Sequence, residues 1–390
     1  MSELVINVSN IISPLCYTIL RLEPYTTCPF KCVYCYSRWY FKNPTDVIAP
    51  RKHVVRLFKS IARHAYKKNL KPIPFRLSTL VDPFPPHEEL NKISLRILEI
   101  AKRFEYPLII NTKSVKLIEI EDVRKVLERL LDNGLAVVQI SISTLDDHKA
   151  RLIEPIAPPP SKRLQVVKEL GSRGYPVVIR LSPFIPWFSP TTEEEIGNFM
   201  AMLRDFGVKH LIVESLRIER EAVEQFMQRL GVRDAVFEGY SLREVEGMKP
   251  VVRLAQRQRV EVYSTLHRYA VRFGIGFATC KEGLFRFHTT DDCCGAYLLK
   301  VSYGLRVTLW DFYRAKINLL KHGVEEAELS RVCKQFSRLC MDDLKYYPRI
   351  ISKPLRYHEK KLLSVLRKPN VLQHIAPDML QASDTGAQLS

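Results

Sequence analysis

The sequence predicts an α/β protein, an open or partial barrel of parallel strands followed by a mainly helical C-terminal region. Three observations carry this. Between residues 17 and 216, six apolar or β-branched runs alternate with segments of helical apolar spacing. Runs without polar alternation, separated by helices, mark a parallel sheet covered on its faces. Beyond about residue 217 the alternation stops and charge-rich, helix-like sequence follows.

The runs are TILRLEP (18–24), PFRLSTL (74–80), PLIINT (107–112), AVVQISIS (136–143), PVVIRLS (176–182) and HLIVESL (210–216). The intervening helices are expected over about 52–69, 88–104, 121–133, 161–173 and 193–206. Six strands are too few for the closed eight-stranded βα barrel, so a partial barrel is expected. Gly134, Gly174 and Gly207 stand where helices should end. Thr191-Thr192-Glu193-Glu194-Glu195 reads as a cap followed by an acidic first turn. The stiff runs Asp82-Pro83-Phe84-Pro85-Pro86 and Ala157-Pro158-Pro159-Pro160 follow the second and fourth strands, on the side where βα loops carry chemistry. The expected organisation is a barrel over 1–220, a helical linker region over 221–275, a cysteine-containing basic region over 276–375 and a disordered tail over 376–390.

A chain of 390 residues that is 46% hydrophobic can bury a sizeable core. No apolar run reaches the roughly 18 residues of a membrane span, and the opening MSELVINVSN lacks the basic start and apolar run of a signal peptide. The expectation is a cytoplasmic protein without a membrane partner. Nine cysteines in that compartment suggest metal binding before disulfides. The net charge of +18, from 60 basic and 42 acidic residues, favours a polyanionic partner such as nucleic acid. Within 331–370 there are 11 Lys/Arg against 3 Asp/Glu.

The sharpest motif directly follows the first strand: Thr27-Cys28-Pro29-Phe30-Lys31-Cys32-Val33-Tyr34-Cys35-Tyr36. Its spacing is C-x3-C-x2-C. Thiolates hold iron–sulfur clusters, and three of them on a four-iron cube leave one iron open. S-adenosylmethionine (SAM) can fill that position and be cleaved reductively to a 5′-deoxyadenosyl radical, chemistry that belongs to the cofactors. A structural zinc site would need a fourth ligand close by. A redox C-x-x-C pair would leave Cys28 unexplained, and inert buried cysteines are the third reading.

The triad and the six βα units resemble the radical SAM superfamily, and more closely its spore photoproduct lyase-like branch. The matching pieces are Cys28–Tyr36, Asp82-Pro83-Phe84-Pro85-Pro86-His87-Glu88, Asn111-Thr112-Lys113-Ser114, Ser141-Ile142-Ser143-Thr144-Leu145-Asp146, Glu154-Pro155-Ile156-Ala157-Pro158 and Pro183-Phe184-Ile185-Pro186, of which Thr112-Lys113-Ser114 and Glu154-Pro155-Ile156-Ala157-Pro158 point to the branch. The resemblance implies a partial (β/α)6 barrel, a [4Fe–4S] cluster on Cys28, Cys32 and Cys35, and SAM. It places Tyr34 beside the SAM adenine and Tyr36 next to SAM as a catalytic candidate. It gives Lys113 the SAM carboxylate, and Ser141 or Ser143 a hydrogen bond to SAM. Arg180 on strand five is a further carboxylate candidate. A ferredoxin or flavodoxin would donate the electron. One departure matters. The photoproduct lyases carry a hydrogen-donating cysteine before the strand-two aspartate, and Arg76-Leu77-Ser78-Thr79-Leu80-Val81-Asp82 has no thiol. Repair of a thymine dimer by that route is not expected.

Cys280, Cys293, Cys294, Cys333 and Cys340 form a second group, a candidate site for another iron–sulfur cluster or zinc, with a disulfide or scattered thiols as rivals. The preferred substrate is a nucleic acid. The alternatives are peptide modification, metalloenzyme maturation, or a non-enzymatic nucleic-acid-binding protein with a structural cluster.

Overall fold

Every residue of the strand Ala136–Ile142 is buried, as an apolar run with packing on both faces requires. In the computed structural model, which describes residues 3–39, 47–232, 235–240, 250–317 and 326–381, this strand is the centre of a seven-stranded parallel sheet. The first six strands are β1 (Arg21–Leu22), β2 (Phe75–Leu77), β3 (Leu108–Thr112), β4 (Ala136–Ile142), β5 (Val177–Phe184) and β6 (His210–Ser215). They lie in sequence order, each paired in parallel with the next. Helices Lys52–Lys67, Ile93–Arg103, Glu121–Asp132, Pro160–Ser172 and Glu193–Asp205 connect them, close to the expected spans. Each turns an apolar stripe inward, such as Val123, Leu127, Leu130 and Leu131.

Local chemistry sets the boundaries. Thr192 and Glu195 form a reciprocal capping box at the start of Glu193–Asp205. Gly134, Gly174 and Gly207 end helices at φ 66°, 76° and 76°, the left-handed region that disfavours side chains. At Gly171 the constraint is space, because a Cβ there would stand 1.8 Å from the Phe206 carbonyl oxygen.

Two expectations need correction. The region 217–275 is not simply helical. It folds as an antiparallel sheet of β7 (Arg217–Glu219), β8 (Phe237–Tyr240) and β9 (Val251–Leu254), in the order β7-β9-β8, followed by the helix Gln256–Arg272. The barrel sheet is also not limited to six strands, because β10 (Gly276–Thr279) pairs in parallel with β6. These strands run for three or four residues, too short for a periodic signal, and β7, β8 and β9 include charges. Buried Arg259 ties the pieces together. It donates to Glu238 of β8 at 2.7 Å and to Glu282 beyond β10, and Glu282 accepts the Ser215 N–H of β6 at 2.8 Å.

The C-terminal helix Arg349–Leu366 packs Leu362, Val365 and Leu366 inward, all at most 2% exposed. Its Glu359 is buried on Arg306 at 2.9 Å, while Lys360, Arg367 and Lys368 face solvent. Among the described residues no helix is long and apolar enough to cross a membrane. Most of the expected tail, residues 382–390, lies outside the described residues.

The five C-terminal cysteines do not form one metal site. Cys333 and Cys340 are joined as a disulfide, with Cα atoms 5.8 Å apart. Cys280, Cys293 and Cys294 are instead buried together with Cys16, which the spacing had not implicated. Cys294 Sγ lies 3.2 Å from Thr18 Oγ1, and His288 bonds Thr279 at 3.0 Å. Among the described residues no three His, Cys, Asp or Glu side chains could hold a single metal ion. A cube holds its thiolates further apart than one ion does.

Candidate active site

The segment after β1 carries Cys28, Cys32 and Cys35 into a cleft. Residues on or just after β2 to β6, and Lys281 after β10, supply the other walls. The loop is pinned locally. The Cys35 N–H donates to Cys32 O at 3.1 Å, and the Val33 N–H reaches Ile153 O at 2.9 Å. All three thiols are half-buried and outside any disulfide. Burial pushes the Cys28 thiol up to about 12, with the Asp82 carboxylate adding to the rise. Burial and Glu154 push Cys32 upward as well. Burial thus disfavours the free thiolates of Cys28 and Cys32, which a bound cluster would stabilise.

Opposite stands Lys113, just past β3. Its Nζ donates to Ser141 Oγ at 2.8 Å, lies 3.7 Å from Glu154 Oε1 and sits 5.7 Å from the Tyr34 ring centre. Ser141 in turn donates to Ser182 O at 3.0 Å. Glu154 is the hub behind this wall. It accepts from Arg163, from the Tyr34 hydroxyl and, at 3.0 Å, from Ser143. Burial alone would raise its carboxyl, but Arg163 and Lys113 prevail and hold it near 2.

The loop after β2 is fastened from two sides. Asp82 accepts from Thr112 Oγ1 at 2.8 Å and from the Lys113 N–H at 2.7 Å. Glu23 accepts from the N–H groups of Thr79 and Leu80 at 2.9 and 3.1 Å. The Tyr36 hydroxyl donates to Thr79 O at 2.6 Å.

The far wall is cationic. Glu214 on β6 receives Arg180 at 3.0 Å, Lys281 at 2.8 Å and Arg217. Despite burial, these three cations keep its carboxyl far below the ordinary range. The expected site residues thus divide. Cys28, Cys32, Cys35, Tyr34, Tyr36, Lys113, Ser141 and Arg180 all line the cleft. Ser143, 1% exposed, turns to Glu154 and does not line it. Sequence reasoning had missed Glu214, Arg217, Lys281, Arg76 and Arg163. A charge inside an apolar run, as in HLIVES and PFRLSTL, was the available signal, because a buried charge needs a partner.

The comparisons with known proteins bear on this cleft. A model of the radical SAM superfamily matches residues 22–203, the stretch that holds the triad and β2 to β5. That stretch is similar to the radical SAM superfamily. The likeness implies a [4Fe–4S] cluster, SAM and a reductant. The residues fit these groups: three free thiols line the cleft, and Asn111 Oδ1 and Arg76 Nε are buried on its lining without a hydrogen-bond partner among the described residues.

Structures of spore photoproduct lyase share the fold. One complexed with dinucleoside spore photoproduct aligns at TM-score 0.53 and 16% identity, over 71% of this chain and 79% of that one. A variant with bound AdoMet and the same dinucleoside aligns at TM-score 0.51 and 16% identity, over 67% and 76%. The uncharacterized protein ORF301 of Acidianus two-tailed virus is 31% identical over 157 residues, 40% of this chain. The chain spans about half the length of that curated relative, 49%.

Proposed function

We propose that this enzyme generates a radical on a nucleic-acid substrate, with its cluster on Cys28, Cys32 and Cys35 and SAM lying between the triad and Lys113. The observation that carries the reading is that the three thiols and the Lys113–Ser141 pair line one cleft. A cube and SAM held there would supply one-electron cleavage of the sulfonium and a radical able to abstract hydrogen from the substrate.

The chain's own residues prepare this step. Lys113 is an ammonium fixed between Ser141 and Glu154, a point charge suited to the SAM carboxylate. Ser141 orients it and is the nearer serine to SAM. Tyr34 is locked by Glu154 and Ser143, so its ring is a rigid wall beside the triad. Tyr36 closes the cleft towards the loop after β2 through Thr79. Arg180 is held on Glu214 at 3.0 Å, whereas Lys113 lies a looser 3.7 Å from Glu154, which makes Lys113 the better carboxylate partner. The preference for nucleic acid rests on the net charge of +18. A ferredoxin or flavodoxin in the cytoplasm is the proposed electron source.

The test is anaerobic incubation of the reconstituted enzyme with SAM, a reductant and separate pools of RNA, DNA and peptides. Methionine release and a mass change confined to RNA or DNA are expected. A mass change confined to peptides overturns the nucleic-acid assignment.

A further inference from the structure

The triad loop is fastened to a helix whose other side faces solvent. Val33, between Cys32 and Cys35, donates its N–H to Ile153 O at 2.9 Å, at the end of the helix Asp147–Ile153. Cys32 and Val33 also pack against the apolar cluster that buries Ile153, Ile185 and Phe188. The sequence neighbours of these buried residues are exposed instead. Leu152 is 50% exposed, Ile156 54% and Trp187 41%. Lys149 ties the two segments together, its Nζ donating to Trp187 O at 2.8 Å. Leu152 stands three residues after Lys149, on the same side of the helix. Pro155 is exposed too. None of these residues lines the cleft.

A lone exposed leucine needs no explanation, but large apolar side chains gathered over one spot mark an interaction surface. The position of this spot says what binds there. It lies on the outer side of the segment that carries Cys32 and Cys35, and an electron crosses protein efficiently only over a short span. A carrier protein docked here is separated from the triad by little more than Val33 and the cluster around Ile153. Such encounters use small interfaces, which a tryptophan with a few aliphatic neighbours can supply. Around the patch Lys31, Lys149 and Arg151 stand against Asp146 and Asp147, and the chain as a whole carries +18, which favours an acidic partner.

We infer that Leu152, Ile156 and Trp187 form the docking surface for an acidic one-electron carrier protein, which delivers its electron inward across the Val33 segment. One electron leaves the reduced carrier and one-electron reduction of the oxidised cluster balances it, with no atom or proton transferred. Trp187 is the anchor, because its loop is held in place by Lys149 before any partner arrives. The inference rests on the reading of Cys28, Cys32 and Cys35 as the cluster site.

The experiment measures the dissociation constant of a purified acidic ferredoxin for the anaerobically reconstituted full-length enzyme at low salt. Trp187→Ala and Leu152→Asn should each weaken binding by about tenfold, as truncation of an interface anchor does. Arg151→Glu should weaken it as well, and less so at high salt. Val271→Asn, which removes an equally exposed apolar side chain at the end of the helix Gln256–Arg272, should change nothing. Methionine release driven by dithionite, a small reductant that needs no docking surface, should be the same in all four variants, while release driven by reduced ferredoxin should fall with its binding. Ferredoxin binding that is absent in the wild type, unchanged in Trp187→Ala and Leu152→Asn, or equally lost in Val271→Asn overturns the docking surface. Tighter binding after Arg151→Glu overturns the acidic partner. Iron content and dithionite-driven cleavage of the wild type report separately on the triad reading: an enzyme that shows both yet fails the ferredoxin test refutes the docking surface alone.

Discussion

Arg163 and Glu154 form an ion pair with both side chains at most 1% exposed, directly behind the wall that carries Lys113. Removing one partner of such a pair strands the other charge in the core. Glu154→Gln should lower stability by about 3–5 kcal/mol, read from chemical denaturation of the apo-enzyme. A loss below about 1 kcal/mol would show that Arg163 finds another partner.

The same pair sets an acid limit. The folded Glu154 carboxyl is held near 2, below its ordinary value of 4.5. Its contribution is therefore complete above about pH 4.5 and is lost as pH falls towards 2. Wild-type stability should drop through this window, and Glu154→Gln should flatten the drop. Parallel pH profiles for the two proteins would assign the acid lability elsewhere.

Lys113→Ala should weaken SAM binding by roughly 1.5–3 kcal/mol while leaving the iron load intact, because it removes a charge partner for the carboxylate. Ser141→Ala should cost less, about 1 kcal/mol, because Lys113 is then less firmly oriented. Anaerobic titration checks both. Unchanged SAM affinity in Lys113→Ala would return this lysine to a purely structural role beside Glu154.

Nucleic-acid binding should fall steeply with salt, in proportion to the number of phosphates bound. Lys360, Arg367 and Lys368 are exposed on or just beyond a helix whose buried leucines hold it in place. Neutralising them with Lys361 should lower the salt slope by about one for each phosphate that is no longer neutralised. Thermal stability should stay nearly constant, since the apolar face is untouched. An unaltered slope would move polyanion binding to another surface.

The barrel was legible because its strands are long apolar runs and its triad is compact in sequence. Thr192–Glu195 and the glycines at 134, 174 and 207 announced helix ends through backbone chemistry that is local. What was not legible depended on distance. Ser141 and Ser143 are two apart, yet only Ser141 lines the cleft, because Ser143 lies past the strand end and turns to Glu154. Cys333 and Cys340 looked like ligands until the fold brought them together as a disulfide. The convergence of Glu214, Arg217 and Lys281 needed β6, β7 and the segment after β10 to be placed first. No sequence window contains all three.

The central claim is that Cys28, Cys32 and Cys35 hold the cube at which SAM is cleaved. The direct test compares wild type with the triple Cys→Ala variant, both reconstituted anaerobically, by iron content and by methionine released from SAM under reductant. The variant should lose about four irons per chain, the content of one cube, and release no methionine. A variant that keeps its full iron load and still cleaves SAM would contradict the account.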